Sequence, residues 1–296
     1  MNMNIPFDEH KIQSHDGTIL TGYDYGGSGN PLILIHYLGG TAKAWNPVIP
    51  FFRSHYRIIS YDLRGHGKSE QPHQGYSFED TANDLESVMN HFEIEKAHLV
   101  GSSYGCMIGL YFTAMRQGRV SSLANIDGAI INDSGEHGLH DETLEEHLAK
   151  FKGQLDPDYE SVEEFQQVYQ EQWLPWNKER ANYVAEYEPR MKENGKVGNI
   201  TTGQTMEKII SEIYYVDFLT WYKKVRSPVL FLPAEKEEHF QKSLNFIDLA
   251  KKELPYSETV VIPNTTHLMM FDHGKELAEA ILKFHSELPV SEKSIR

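Results

Sequence analysis

Two hydrophobic rhythms alternate along the 296-residue chain. One is a short apolar run without alternation, first met in Leu32-Ile33-Leu34-Ile35. Runs of that kind mark strands buried on both faces, as in a parallel sheet. They recur at residues 57–62, 96–101, 122–126 and 228–232, with a weaker one at 258–262. The other rhythm is helical. Phe78, Leu85, Val88 and Met89 fall near helical spacing within residues 77–92, and residues 105–116 and 275–288 read the same way. Ahead of these, residues 11–14 and 18–25 flank Asp16-Gly17 and predict a β-hairpin. Strands alternating with helices predict an α/β fold built on a doubly wound, mostly parallel sheet.

The rhythm breaks at about Ser134. From there to Tyr215 the pattern predicts helices at 141–151, 161–172, 178–191 and 206–215, and no sheet strand. Strand-like runs return only at 228–232, so residues 1–133 and 216–296 are expected to complete one sheet domain around an insertion at 134–215. Charge sharpens this division. The chain carries 28 Lys and Arg against 43 Asp and Glu, a net of −15, and residues 134–190 hold 14 acidic against 5 basic side chains. An acidic protein of this kind lacks the Lys and Arg excess that binds phosphate backbones, so no nucleic-acid partner is expected. Exposed acids also disfavour anionic ligands locally, within about 8–10 Å at ordinary ionic strength.

Further exclusions follow from what the chain does not contain. No apolar run approaches the ~20 residues of a spanning helix, and the first residues carry no basic and apolar export pattern, so a cytoplasmic location without membrane insertion is expected. A single cysteine forms no internal disulfide. No His-Glu-x-x-His or paired-cysteine pattern occurs, so neither metal nor cofactor is implied. The glycines of residues 26–29 precede a strand and open no helix, which removes them as a phosphate cradle.

Candidate chemistry lies at Gly101-Ser102-Ser103-Tyr104-Gly105, between an apolar strand and a helix of small residues. Glycines at those positions allow the sharp strand-to-helix turn that thrusts a serine above a sheet. Three further segments stand in register with it: His36-Tyr37-Leu38-Gly39-Gly40 after an apolar strand, Asp62-Leu63-Arg64-Gly65-His66-Gly67-Lys68-Ser69, and Ile262-Pro263-Asn264-Thr265-Thr266-His267 near the end. In this order the four segments resemble the α/β-hydrolase fold superfamily, and the likeness spans nearly the whole chain. The resemblance implies the α/β-hydrolase fold with residues 134–215 as a helical cap, in which Trp173, Trp176, Tyr183, Tyr187, Tyr214 and Tyr215 are available to line a pocket.

The resemblance also implies roles. Ser103 is the nucleophile and His267 the base, since a serine hydroxyl needs a base within hydrogen-bond reach and that base needs a carboxylate to orient it. For the acid, aligning Ala234 on the family's glycine selects Glu237, with Asp127 in Asn125-Ile126-Asp127-Gly128 as the alternative and Glu235 or Glu238 as solvated neighbours. Backbone N–H groups of Leu38 and Tyr104 are the expected oxyanion donors, although Tyr37 stands where the family has glycine. Asp62, Arg64 and His66 are expected to brace their loop, and Cys106 to pack as a small buried residue. A serine at the elbow argues against the dehalogenase and epoxide-hydrolase branches, which use aspartate there. The expected activity is hydrolysis of a small or medium carboxylic ester, with lactonase, carbon–carbon hydrolase and acyltransferase on the same residues as alternatives, and a slow ligand-sensing protein as a rival. The sequence sets no oligomeric state.

Overall fold

A computed structural model describes residues 5–173 and 189–288. Its frame is an eight-stranded sheet of β1 (Asp8–Gln13), β2 (Ile19–Asp24), β3 (Asn30–Ile35), β4 (Tyr56–Asp62), β5 (Ala97–Ser102), β6 (Val120–Ile126), β11 (Val229–Leu232) and β12 (Ser257–Thr259). The strands lie in the order β1-β2-β4-β3-β5-β6-β11-β12. β2 is antiparallel to β1 and to β4, and from β4 to β12 every pairing is parallel. The expected hairpin is present, turning through Gly17 at φ 92°. The last strand is shorter than the pattern suggested.

The unbroken apolar runs are explained by two separate cores, one on each face of the sheet. Ile33, Ile35, Leu99, Val229 and Phe231 point to the face covered by α2 (Phe78–His91) and α3 (Tyr104–Met115). Their neighbours Leu32, Leu34, Val100, Leu230 and Leu232 point to the other. There α1 (Ile49–Phe52) and the carboxyl-terminal helices cover them. Side chains alternate across a strand, so a run buried on both faces has no polar position to spare. Ser77 begins α2 with a capping box, its hydroxyl accepting from Asp80 N–H while the Asp80 carboxylate accepts from Ser77 N–H.

Residues 135–215 add no strand to this sheet among those described. They form α4 (Leu144–Lys150), α5 (Val162–Trp173) and α6 (Gly203–Tyr214), followed by α7 (Phe218–Tyr222). Two small ladders not foreseen from the pattern join them: β7 (Asn132–Ser134) with β8 (Gly138–His140), and β9 (Arg190–Met191) with β10 (Val197–Gly198). The second replaces the end of the helix expected over 178–191, most of which lies outside the described residues. Asn194-Gly195 is a hairpin signal, and Gly195 takes φ 79° in a turn closed by Lys192 and Lys196. Three more helices follow among the described residues: α8 (Phe240–Glu253), α9 (Met269–Asp272) and α10 (Gly274–Glu287). No helix among the described residues is long and apolar enough to cross a membrane.

At the amino end of the parallel strands a polar relay crosses the apolar layer. Tyr56 OH lies 2.7 Å from His285 Nδ1, His285 Nε2 lies 2.8 Å from Ser122 Oγ, and Ser122 Oγ lies 2.8 Å from His98 Nδ1. With both imidazoles neutral, every hydroxyl and ring N–H donates in one direction along this relay, from Tyr56 to His98. It fastens α10 to β4, β5 and β6. Burial holds His98 down to about 4 and His285 to about 3, and the His98 ring depresses His285 further. Near the other end of the strands, burial likewise lowers His36 to about 4 and His66 to about 3.

These four histidines set an acid limit on stability. The unfolded chain takes up their protons near pH 6.5, whereas the native state resists until about pH 4 to 3, so their contribution is complete above 6.5 and is lost as the pH falls below it. The thermal unfolding midpoint is expected to be flat between pH 7 and 8 and to decline steadily from 6.5 to 4. His285→Gln, which keeps a donor and an acceptor but does not titrate, is expected to shallow that decline; an unchanged slope counts against this origin.

Candidate active site

The site forms where β3, β5 and β6 end side by side. Ser103 links β5 to α3 with φ 52° and ψ −115°, a strained conformation for a residue with a Cβ. Close backbone packing holds it there. A Cβ on Gly101 would meet the Gly105 carbonyl, one on Gly105 would overlap the Ile35 carbonyl, and one on Gly128 would overlap the Ser103 carbonyl. The serine is thus clamped between β3 and the turn after β6. Ser103 N–H also donates to Ile126 O at 3.0 Å. Cys106, one turn into α3, is fully buried with its thiol raised by burial and donating to backbone carbonyls.

Asp127 follows β6 at φ 47°, almost buried. Its backbone N–H donates to Leu232 O at 3.0 Å, and its Oδ1 accepts Ala234 N–H at 2.9 Å. The other oxygen, Oδ2, is 2.7 Å from His267 Nδ1. His267 Nε2 is in turn 2.9 Å from Ser103 Oγ. A carboxylate only accepts, so Nδ1 carries the imidazole proton and Nε2 is left to accept from the serine hydroxyl. Three residues from three separate segments therefore form one continuous chain of hydrogen bonds.

The Nδ1 bond expected of Glu237 is made by Asp127. Glu237 sits on the exposed turn after β11, where its Oε1 accepts the backbone N–H of His267 at 3.1 Å. Its carboxylate comes within 4.8 Å of Asp127 and of a His267 ring nitrogen, without displacing the Asp127 bond. Glu235 acts on the same segment, accepting Asn264 N–H at 2.7 Å, and Glu238 is exposed. The physical difference is anchorage: Asp127 is short, buried and pinned by Ala234, while Glu237 reaches back from a solvated turn to hold main chain.

Leu38 lies in the turn after β3, closed by Gly40 N–H donating to Tyr37 O at 3.0 Å. β3 pairs with β5 so that Ile35 faces Gly101, which brings this turn alongside the elbow. His36 locks it: Nδ1 donates to Tyr37 O at 2.8 Å and Nε2 accepts Leu63 N–H at 3.0 Å. Tyr104 is the first residue of α3, so its N–H is among the amides that a helix leaves unpaired. The loop after β4 braces the surroundings. Asp62 accepts N–H groups from Ala42 and Lys68 at 2.8 Å each, and Arg64 forks onto Asp84 with both bonds at 2.6 Å.

The helical segment after β7 reaches this site through α6. Met206 lies against Gly39, Lys208 Nζ donates to His73 O at 2.7 Å, and a recess beside Gly39 is lined by Phe165, Tyr169, Asn199 and Met206. Of the aromatic residues proposed as lining, Tyr214 is buried and Tyr215 is exposed. Trp173's side chain, Trp176, Tyr183 and Tyr187 lie outside the described residues.

Comparisons with known proteins agree with this frame. A family model described as alpha/beta hydrolase fold matches residues 30–274. A dihydrolipoyllysine-residue acetyltransferase component of an acetoin cleaving system from Pseudomonas putida is 32% identical over 119 residues, 40% of this chain and 32% of that protein. A putative carbamate hydrolase, RutD, from Pantoea ananatis is 26% identical over 242 residues, 80% of this chain and 82% of that protein. The chain thus spans about a third of the first relative's length and about four fifths of the second's. Among solved structures, E-2-(acetamidomethylene)succinate hydrolase superposes with a TM-score of 0.78 at 19% identity, covering 95% of this chain and all of that one. At that identity the likeness concerns the fold.

The hydrogen-bond chain has a spectroscopic consequence. A far-downfield imidazole N–H proton resonance is expected for His267, lost in Asp127→Asn and retained in Glu237→Gln. The opposite pattern would return the ring to Glu237.

Proposed function

The chain belongs to the α/β-hydrolase family, and from that premise we propose that it is a serine hydrolase cleaving a small or medium, uncharged carboxylic ester through an acyl-enzyme. Ser103 attacks the carbonyl, His267 takes its proton at Nε2 and returns it to the leaving alcohol, and Asp127 stabilises the imidazolium formed in between. Leu38 and Tyr104 N–H groups receive the oxyanion, aided by the positive end of α3. Water, activated by the same histidine, then releases the acid. Residues 134–215 form a cap over the serine, with 1–133 and 216–296 as the core. The observation that carries this reading is the unbroken Asp127–His267–Ser103 chain, with bonds of 2.7 and 2.9 Å.

The acidic excess of residues 134–190 supports an uncharged substrate, since a carboxylate approaching through that segment meets charge of its own sign. A second reading shares the residues: hydrolysis of an acyl carbon–nitrogen bond. It is favoured by the relative matching four fifths of this chain, which bears the name of a carbamate hydrolase. The leaving group then takes its proton from His267 as an amine.

Turnover of p-nitrophenyl esters of increasing acyl length, beside a matched carbamate series, tests both. Ser103→Ala is expected to abolish activity, and a fluorophosphonate probe to label Ser103 alone. Asp127→Asn is expected to lower kcat by about 10⁴, as loss of a triad acid does. Glu237→Gln is expected to cost far less. Equal, slow rates in wild type and Ser103→Ala would overturn the enzyme reading in favour of a ligand-sensing protein, and a faster carbamate series would favour the second reading.

A further inference from the structure

A second cluster of histidine and carboxylate, sharing no residue with the group around His267, lies in residues 134–215. His140, Glu142 and His147 bring one ligand atom each to within 4.8 Å of one another. His147 Nδ1 is 2.9 Å and His140 Nδ1 is 3.9 Å from the same Glu142 oxygen, Oε1, and the two rings lie 4.6 Å apart. In a tetrahedral zinc site with bonds of about 2.0–2.1 Å, ligand atoms stand roughly 3.3 Å apart. The two nitrogen-to-Glu142 separations bracket that value and the third lies within 4.8 Å, so a modest side-chain adjustment closes the set around an ion.

The three side chains are held in advance. His140 ends β8, where it pairs with Ser134 of β7. Glu142 is steadied by its carbonyl, which accepts the Tyr214 hydroxyl. His147 projects from α4, whose start is fixed by a capping box between Thr143 and Glu146, and its ring packs between Phe151 and Tyr214. Ligands fixed by rigid elements lose little freedom on binding. His140 and Glu142 also line a cleft of about 670 Å³ together with Asn132, Ser134, His137 and Tyr215, and His147, beside Glu142, is buried.

We propose that His140, Glu142 and His147 form a divalent transition-metal site of the zinc class, with its open coordination position facing this cleft. Two imidazoles and one carboxylate suit zinc and exclude the all-oxygen preference of calcium and magnesium. Lys150 is the internal competitor. Its ammonium sits 2.6 Å from Glu142 Oε1, where the ion would contribute its charge, and its mostly exposed side chain is free to swing into solvent. A bound ion pins β8 to α4 and so stiffens the start of the insertion.

The test is calorimetric titration of zinc chloride into the tag-free, chelator-treated full chain. One equivalent is expected to bind, with a rise in the unfolding midpoint. His140→Ala is expected to weaken binding at least ~10-fold, as loss of even an outer-shell partner commonly does. Lys150→Ala is expected to tighten it by removing the competing cation. His267→Ala is expected to leave it unchanged, which separates this site from the Asp127–Glu237–His267 group near Ser103. Absence of saturable binding, binding that survives His140→Ala, or binding lost in His267→Ala overturns the proposal.

Discussion

Everything at the candidate site depends on strand register. In the parallel part of the sheet Ser102 of β5 faces Ile126 of β6, and Ile126 faces Leu232 of β11. The next residues therefore leave the sheet at one height: Ser103, Asp127 and the turn containing Ala234. A slip of one residue in β6 would turn Asp127 toward the opposite face and separate it from both His267 and the Ala234 amide. What prevents the slip is the hydrophobic pattern. Leu123 and Ala124 belong to different cores, and exchanging their faces would misfit both.

That pattern is also why most of the frame was legible from sequence. Residues such as Ile33 and Leu34 admit one arrangement, a strand covered on both sides, and Gly101 and Gly105 admit only a close backbone turn between such a strand and a helix. The β9–β10 ladder was less legible because each of its strands has two residues, too few for a period. The carboxylate that faces the ring was the least legible residue. Local sequence offers a carboxylate after β6 and three after β11, and spacing does not say which is anchored toward the ring. The contacts that anchor these carboxylates, Ala234 N–H to Asp127 and His267 N–H to Glu237, join residues 107 and 30 positions apart.

Long-range pairs also alter the electrostatics of residues 134–215. Its acidic surplus counted by residue is partly answered from the β9–β10 hairpin: Arg190 and Lys192 meet Asp156, Lys192 also meets Asp158, and Lys196 meets Glu160. Surface pairs of this sort contribute about 0–1 kcal/mol each. Their effect is on where field remains: Glu163 and Glu164 in the first turn of α5, and Glu136 and Asp141 beside the cleft, have no ion pair among the described residues.

The two carboxylates that hold His267 come from different strands. Asp127, at the end of β6, takes the ring, and Glu237, in the turn after β11, takes the main chain. The imidazole is consequently suspended between neighbouring strand ends like a needle between two fixed points. A small shear of β11 along β6 moves one support relative to the other and rotates the ring against Ser103, converting a sub-ångström slide in the frame into an angular error at Nε2. Geometry at the serine then rests on how β6 and β11, hydrogen-bonded side by side, hold the turns that carry Asp127 and Glu237.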